Sequence, residues 1–538
     1  MHLAPRATIR RARGAGPGRS EAGGPRPAPR RAGPPWALVG AAAVVVAGVV
    51  LRFGATGALW LDEALAVNIA RLPLADLPEA LRHDGAPPLY YVLLHGWTAV
   101  FGDGVRAVRS LSGLLGVAAL PLAWAAGRRL GGRPAAEAAL VLLASSPFAV
   151  RYATEARMYT LVILLVLAGH LAVVRALEDP SPRRLAAVSV ATGLLVLTHY
   201  WGLFLAGAVT AWLAVEARRP GPGARPARRT LAAVVAGCAA LAPWLPVLAY
   251  QARHTGTPWA VPPGVFELRD AFVDFAGGYT RAGTALVLVL LALVALALLG
   301  RPTGGWRMEL GGPGRPGARG LAFVTAATLG AAFVVAHLTG SAFTSRYSSV
   351  ALAPFLLLAA LGTTALWSAT ARRGALTVAV VLGLVGAVDH VGDRRTQADQ
   401  VAGAIRRLAA PGDVVAYCPD QLGPAVSRLL PPTIRQVTYP DFAPPQRVDW
   451  ADYAARVRAS PPRRFAARLL AMAGPGGDVF VVWGGGYRTL GRRCEALVAG
   501  LDTRRAEVVV VRGDGRAFER MTLVRFPGRA GAAPAPGR

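Results

Sequence analysis

Up to about residue 390, apolar residues fall into long runs separated by short basic or Gly/Pro-rich segments; beyond it the runs shorten and alternate. Roughly 20 helical residues cross the ~30 Å hydrocarbon core of a bilayer. On that measure the chain is expected to cross at Trp36–Leu51 and near 106–127, 134–152, 158–177, 184–199, 201–217, 229–250, 282–300, 320–339, 348–369 and 374–390. After 390, helix-like stretches at 397–410, 421–430 and 450–472 alternate with Val414 to Tyr417, Val479 to Trp483 and Val508 to Val511. Such alternation predicts a small α/β layer domain. The expected fold is an α-helical polytopic membrane protein with about 11 transmembrane helices over residues 36–390 and a C-terminal α/β domain over 391–538.

Composition supports the membrane reading, because 54% of the 538 residues are hydrophobic. A formal charge of +29 would point to nucleic acid in a soluble chain. Here the basic residues lie between apolar runs, where they set orientation, so nucleic acid is not an expected partner. Residues 1–35 hold eight Arg against the single Glu21, with many Pro and Gly. They read as a disordered cytoplasmic tail, and Trp36–Leu51 after it as a retained helix rather than a cleaved signal.

Charge also orders the spans. The Arg-bearing segments 128–133, 175–184, 218–229, 301–319 and 372–373 share one side if residues 64–101 form outer-face helices rather than a crossing, with Trp97, Tyr90 and Tyr91 at headgroup depth. The N-terminus is then cytoplasmic and the C-terminal domain extracytoplasmic. The uncommon polar residues collect outside: Asp62, Glu63, His83, Asp84, Arg151, Glu155, Arg157, His199, Tyr200, Arg346, Tyr347 and the 251–281 loop with Trp259. Adjacent carboxylates at a helix exit must be hydrated or paired, which marks Asp62-Glu63 as a site. A carboxylate can act as general base toward a hydroxyl, and Arg can clamp a phosphate.

Trp60-x-Asp62-Glu63, Pro87-Pro88-Leu89-Tyr90-Tyr91, Glu155-Ala156-Arg157-Met158-Tyr159, His199-Tyr200 and Arg346-Tyr347 followed by Pro354 resemble glycosyltransferase family 39 and its relatives among protein mannosyltransferases and lipid A aminoarabinose transferases. The resemblance covers roughly residues 36–390. It implies a GT-C-like membrane domain and an inverting hexosyl or pentosyl transfer, mannosyl among them, from a polyprenyl-phosphate donor to a hydroxyl of a glycan, lipid or protein. It makes Asp62 the base, Glu63 an orienting carboxylate and Arg346 the partner of the donor phosphate. His83, Tyr90, Glu155, Arg157, His199, Tyr200 and Tyr347 become substrate-binding candidates. His83 is separated from Pro87 by Asp84-Gly85-Ala86, where many protein mannosyltransferases place His directly before Pro-Pro.

Plainer readings stand beside these. His199 also fits a packed helix-end histidine, Glu155 and Arg157 a mutual ion pair, and Arg346 an interfacial anchor. His83, Asp84 and Glu63 offer chemically suitable ligands for a divalent metal, without tight ligand spacing. Gly484-Gly485-Gly486 reads as a turn, since no phosphate-loop pattern accompanies it. Cys238 reads as a packed thiol, while Cys418 and Cys494 are free to pair in an oxidising compartment. A transporter or flippase of a lipid-linked or anionic substrate is the alternative function. It predicts internal repeats and midplane charges, which the sequence does not display.

Overall fold

A computed structural model describes residues 35–257, 262–304, 307–310 and 314–528. The expected tail over 1–35, apart from Pro35, and Trp259 lie outside the described residues. The helical part begins with α1 (Pro35–Leu51), α2 (Leu61–Ala70), α3 (Leu77–Asp84), α4 (Leu89–Phe101), α5 (Val105–Ala144), α6 (Pro147–Ala153), α7 (Tyr159–Glu178), α8 (Pro182–Thr198) and α9 (Trp201–Arg218). It continues with α10 (Ala224–Cys238), α11 (Leu245–His254), α12 (Val265–Phe275), α13 (Arg281–Leu299), the strand pair β1 (Gly300–Gly304) and β2 (Arg307–Leu310), α14 (Ala318–Thr339), α15 (Ser349–Thr363) and α16 (Ala369–Gly392). Among the described residues, seven helical segments are long and apolar enough to cross a membrane. The chain is a multi-pass membrane protein.

The expected span at 229–250 divides between α10 and α11 across a 3-10 turn, Ala239–Trp244, and the spans at 106–127 and 134–152 depart as well. The runs expected at 106–127 and 134–152 share the 40-residue α5, which breaks at Gly131 and Gly132; Gly132 has φ 72, a backbone region open mainly to glycine. The second run also stops at Ala144, and α6 restarts at Pro147 under a Ser146 cap that accepts from the Ala149 N–H. Buried Arg52, just past α1, closes this corner. It donates to the carbonyls of Gly48 (2.7 Å), Leu143 (2.8 Å) and Ala144 (3.0 Å), placing a cation on the carbonyl end of α5.

The α2–α4 segment forms helices as expected, but Tyr90 and Tyr91 are fully buried in protein rather than set at headgroup depth. Trp97 donates to the Ala107 carbonyl at 2.7 Å, tying α4 to the start of α5.

After α16 come α17 (Ala398–Leu408), β3 (Val414–Cys418), α18 (Gly423–Ser427), β4 (Arg435–Thr438), α19 (Tyr453–Ala459), α20 (Pro462–Ala473), β5 (Val479–Trp483), α21 (Arg493–Asp502), β6 (Val508–Val511) and β7 (Thr522–Phe526). They build a five-stranded sheet in the order β4-β3-β5-β7-β6, parallel at β4/β3 and β3/β5 and antiparallel at β5/β7 and β7/β6. The all-apolar β3 and β5 are covered on both faces, as central parallel strands require. Cys418 at the end of β3 and Cys494 in α21 form a disulfide.

The sheet unit sits against the helical part through main-chain and side-chain contacts. Trp450 N donates to His83 O at 3.0 Å and Asp452 N to His254 O at 2.8 Å. Asn68 donates to the Gln446 carbonyl at 2.6 Å, and Arg428 reaches Asn68 (2.8 Å) and the Asp103 carbonyl (3.0 Å).

Candidate active site

The site grows from the first turn of α2. Trp60, in extended backbone, precedes the helix and leaves Asp62 and Glu63 in that first turn, where free amide N–H groups favour negative charge. The helix then turns the two carboxylates apart. Glu63 points inward and is fully buried. It accepts both prongs of Arg109, from Nε at 2.7 Å and Nη2 at 2.6 Å, and the Ala156 N–H at 3.0 Å. Arg109 in turn donates to the Gly57 carbonyl at 2.8 Å, so the loop before α2 hangs on the same pair.

Asp62 points the other way, into a cavity of about 650 Å³. Its Oδ2 lies 3.0 Å from Arg346 Nη1, and both side chains stay partly open. Arg346 also lies against the faces of Trp60 and Tyr347, with its guanidinium carbon 6.0 and 5.5 Å from the ring centres. Tyr152, Asp274, Thr344 and Ser345 complete the membrane-side wall. The facing wall comes from the C-terminal unit: Gln421, Trp450, Gly485, Gly486, Tyr487 and the run Phe518, Glu519, Arg520. The glycines expected to form a plain turn thus border the cavity. Glu519 is buried and accepts from Thr396 Oγ1 at 2.6 Å. Burial pushes its carboxyl up to about 8 against the downward pull of the Thr396 and Leu61 N–H hydrogen bonds. Burial likewise raises Asp274.

Several expected site residues lie elsewhere. Glu63 faces Arg109 rather than the cavity, so its part is to hold α2. His83 bonds Asp449 at 2.8 Å and Glu79 at 3.2 Å, making it a junction between the two units. Tyr90 is buried with its hydroxyl 3.1 Å from Ser112 Oγ. Tyr200 bonds Gln251 and accepts from Trp244 at 2.9 Å, a packing role away from the cavity. Glu155 is buried beneath Arg151 (3.4 Å) and Arg395 (3.8 Å), not beside Arg157. Arg157 instead donates to the Asp62 carbonyl at 3.3 Å and the Tyr91 hydroxyl at 3.4 Å, and Tyr91 donates to Asp84 at 2.8 Å. Burial raises the Asp84 carboxyl despite the Arg157 charge.

His199 is a buried helix-end histidine whose Nδ1 accepts the Trp201 N–H at 3.1 Å, with Tyr347 packed on it at 5.2 Å. Asp62 and Arg346 are therefore the expected residues that meet in the cavity, with Arg157, Tyr347 and Glu63 fixing them from behind.

His83, Asp84 and Glu63 have separate partners, and among the described residues no cluster of three or more His, Cys, Asp or Glu is placed to hold a metal. Sequence reasoning does not single out Arg109, Tyr152, Asp274, Trp450, Tyr487 or Glu519 as site residues. Their only sequence mark is position in or near an outer loop or in the C-terminal unit. A further cavity of about 140 Å³ lies inside the bundle, walled by Leu165, Leu195, Leu205, Trp212 and Leu357. It is too apolar to carry the chemistry.

A helical membrane part whose cavity is closed by a small α/β unit fits a GT-C-type polytopic membrane glycosyltransferase. The family described as dolichyl-phosphate-mannose-protein mannosyltransferase matches residues 85–250. Among solved structures, ArnT from Cupriavidus metallidurans bound to undecaprenyl phosphate superposes with a TM-score of 0.59 at 15% identity, covering 94% of this chain and 100% of that one. The apo state of the same protein gives a TM-score of 0.57 at 14% identity, over 91% and 97% of the two chains. An oligosaccharyltransferase from Archaeoglobus fulgidus, in complex with Zn and sulfate, aligns with a TM-score of 0.49 at 12% identity over 89% and 72%. A search of the curated proteins finds no match. The resemblance to polytopic membrane glycosyltransferases of the protein-mannosyltransferase type is thus borne out, by the family match and by the ArnT-like fold.

Proposed function

We propose that this protein transfers a sugar from a polyprenyl-phosphate donor to an acceptor hydroxyl at the outer face of the membrane, with inversion, and that Asp62 is the base. The observation that carries this reading is the Asp62–Arg346 pair, 3.0 Å apart at the wall of the open cavity between the helical part and the C-terminal unit. Arg346 neutralises the donor phosphate and Asp62 is released from it. Asp62 then takes the acceptor proton as the hydroxyl oxygen bonds the anomeric carbon. The carbon–oxygen bond to phosphate breaks, and the lipid phosphate leaves with the electron pair, its growing charge held by Arg346.

The matched family's description and the undecaprenyl phosphate bound to ArnT support a lipid-phosphate donor. Mannose is the first sugar to test. The domain division of a membrane part to residue 390 and a C-terminal domain from 391 fits the change from long helices to a sheet. The Cys418–Cys494 disulfide supports an extracytoplasmic C-terminal domain, because such bonds persist in oxidising compartments. The Arg-rich loops on the opposite side support a cytoplasmic N-terminus.

Membranes carrying wild type or Asp62→Asn, matched for protein level, would be given radiolabelled polyprenyl-phosphate mannose and membrane acceptors. Loss of label in the variant alone supports the base assignment; equal labelling removes Asp62 from the mechanism.

A further inference from the structure

Next to the Asp62 cavity lies another of about 320 Å³, which shares Phe518 and Arg520 with it. Arg151 of α6, Arg394 and Arg395 after α16, and Arg516 and Arg520 of the loop before β7 line it, with Asp393 as the lining carboxylate. Its floor is fixed. Arg395 donates to the Thr154 carbonyl and hydroxyl, both at 2.6 Å, and Arg151 lies 3.6 Å from Asp393. Glu155 lies beneath both arginines.

The rim is different. Arg394 reaches Asp399 and Asp514 only at 3.7 and 4.0 Å. Arg516 and Arg520 are exposed, and among the described residues neither guanidinium has a carboxylate within 4.0 Å, although the Arg516 main-chain N–H donates to Asp514 at 2.9 Å. Arg520 is braced by one bond to the Gly515 carbonyl at 3.2 Å. Five guanidinium groups around one concavity repel each other, and their forked donors match a phosphate or carboxylate that would relieve that repulsion. Phe518, packed edge-on against Trp60 at 5.4 Å, divides this pocket from the cavity that holds Asp62.

We propose that the arginine pocket is an anion subsite for the acceptor: it takes a phosphate or carboxylate carried by the acceptor molecule, whose reacting hydroxyl lies across Phe518 beside Asp62. This rests on the transferase reading above, in which Arg346 serves the donor phosphate.

The test reads binding without turnover. Full-length protein in phosphatidylcholine nanodiscs is titrated with inorganic pyrophosphate and, separately, with decaprenyl phosphate. Losing two charge-assisted contacts in Arg394→Ser/Arg516→Ser, both outside the Asp62 cavity, is expected to weaken pyrophosphate by about tenfold or more and to leave decaprenyl phosphate within about twofold. Arg516→Ser alone, at an exposed position, is expected to carry part of that loss with an unchanged melting temperature. The pocket is overturned if wild type does not bind pyrophosphate, or if the double variant binds it as wild type does. Parallel loss of decaprenyl phosphate gives the pocket to the donor and overturns the acceptor assignment. Absence of sugar transfer, by contrast, would sink the transferase reading while leaving these titrations readable.

Discussion

Asp62 and Glu63 are neighbours in sequence with opposite surroundings, and their substitutions should separate accordingly. Asp62 is partly open and held by one ion pair. We therefore expect Asp62→Asn to reduce sugar transfer by roughly 10²–10⁴-fold while leaving the melting temperature nearly unchanged. Glu63 is buried under a two-pronged pair. Glu63→Gln leaves Arg109 as a buried, uncompensated charge, and we expect a loss of about 3 kcal/mol, read as a fall in thermal midpoint of purified protein. Glu519 sets a pH dependence. Folded, it keeps its proton up to about 8; unfolded, a glutamate releases it near 4.5. Its contribution to stability is full below the unfolded value and is lost as pH rises through the folded one. Glu519→Gln, which cannot ionise, should gain thermal midpoint over wild type as pH is raised from about 5 to about 9. Adjacency in sequence announces the acidic pair but does not assign its members, because which carboxylate meets a buried arginine depends on where α5 packs. Glu519 gives no signal, since its burial arises only when the loop before β7 closes over α2.

At the scale of elements, the membrane helices are legible because hydrocarbon demands long unbroken apolar runs. The α5 break is less so: its two glycines lie among arginines that read as a loop, yet helical hydrogen bonding nearly spans it. In the C-terminal unit β3, β5 and β6 stand out as Val-rich runs, whereas β4 (Arg435–Thr438) and β7 (Thr522–Phe526) mix polar and apolar residues and escape a reading by pattern. The helices α17, α19 and α20 show amphipathic spacing and fall within the helix-like stretches that the pattern marks. Spacing does not say that Cys418 and Cys494 meet; that follows from α21 crossing the end of β3. The bond closes a separation of 76 residues. Chain-entropy reasoning gives it up to about 4 kcal/mol, so Cys418→Ser/Cys494→Ser should lower the thermal midpoint, and a reducing agent should do the same to wild type but not to the variant.

For the whole molecule, the cavity exists only where two units meet, since Asp62 and Arg346 come from one and Trp450, Tyr487 and Phe518 from the other. The His83–Asp449 contact is one of the polar ties that keep them together. His83→Ala should raise amide hydrogen exchange across 449–453 while sparing β3 and β5, with a local loss of about 1 kcal/mol. Buried Arg52 carries a different consequence, for biogenesis. Two of its carbonyl partners belong to Leu143 and Ala144, 91 and 92 residues later in synthesis. While α1 waits for them, a cation that hydrocarbon will not accept must stay at the membrane surface. The first of the described helices to be made is therefore among the late ones to settle, and its final depth is fixed by a segment the ribosome has yet to deliver.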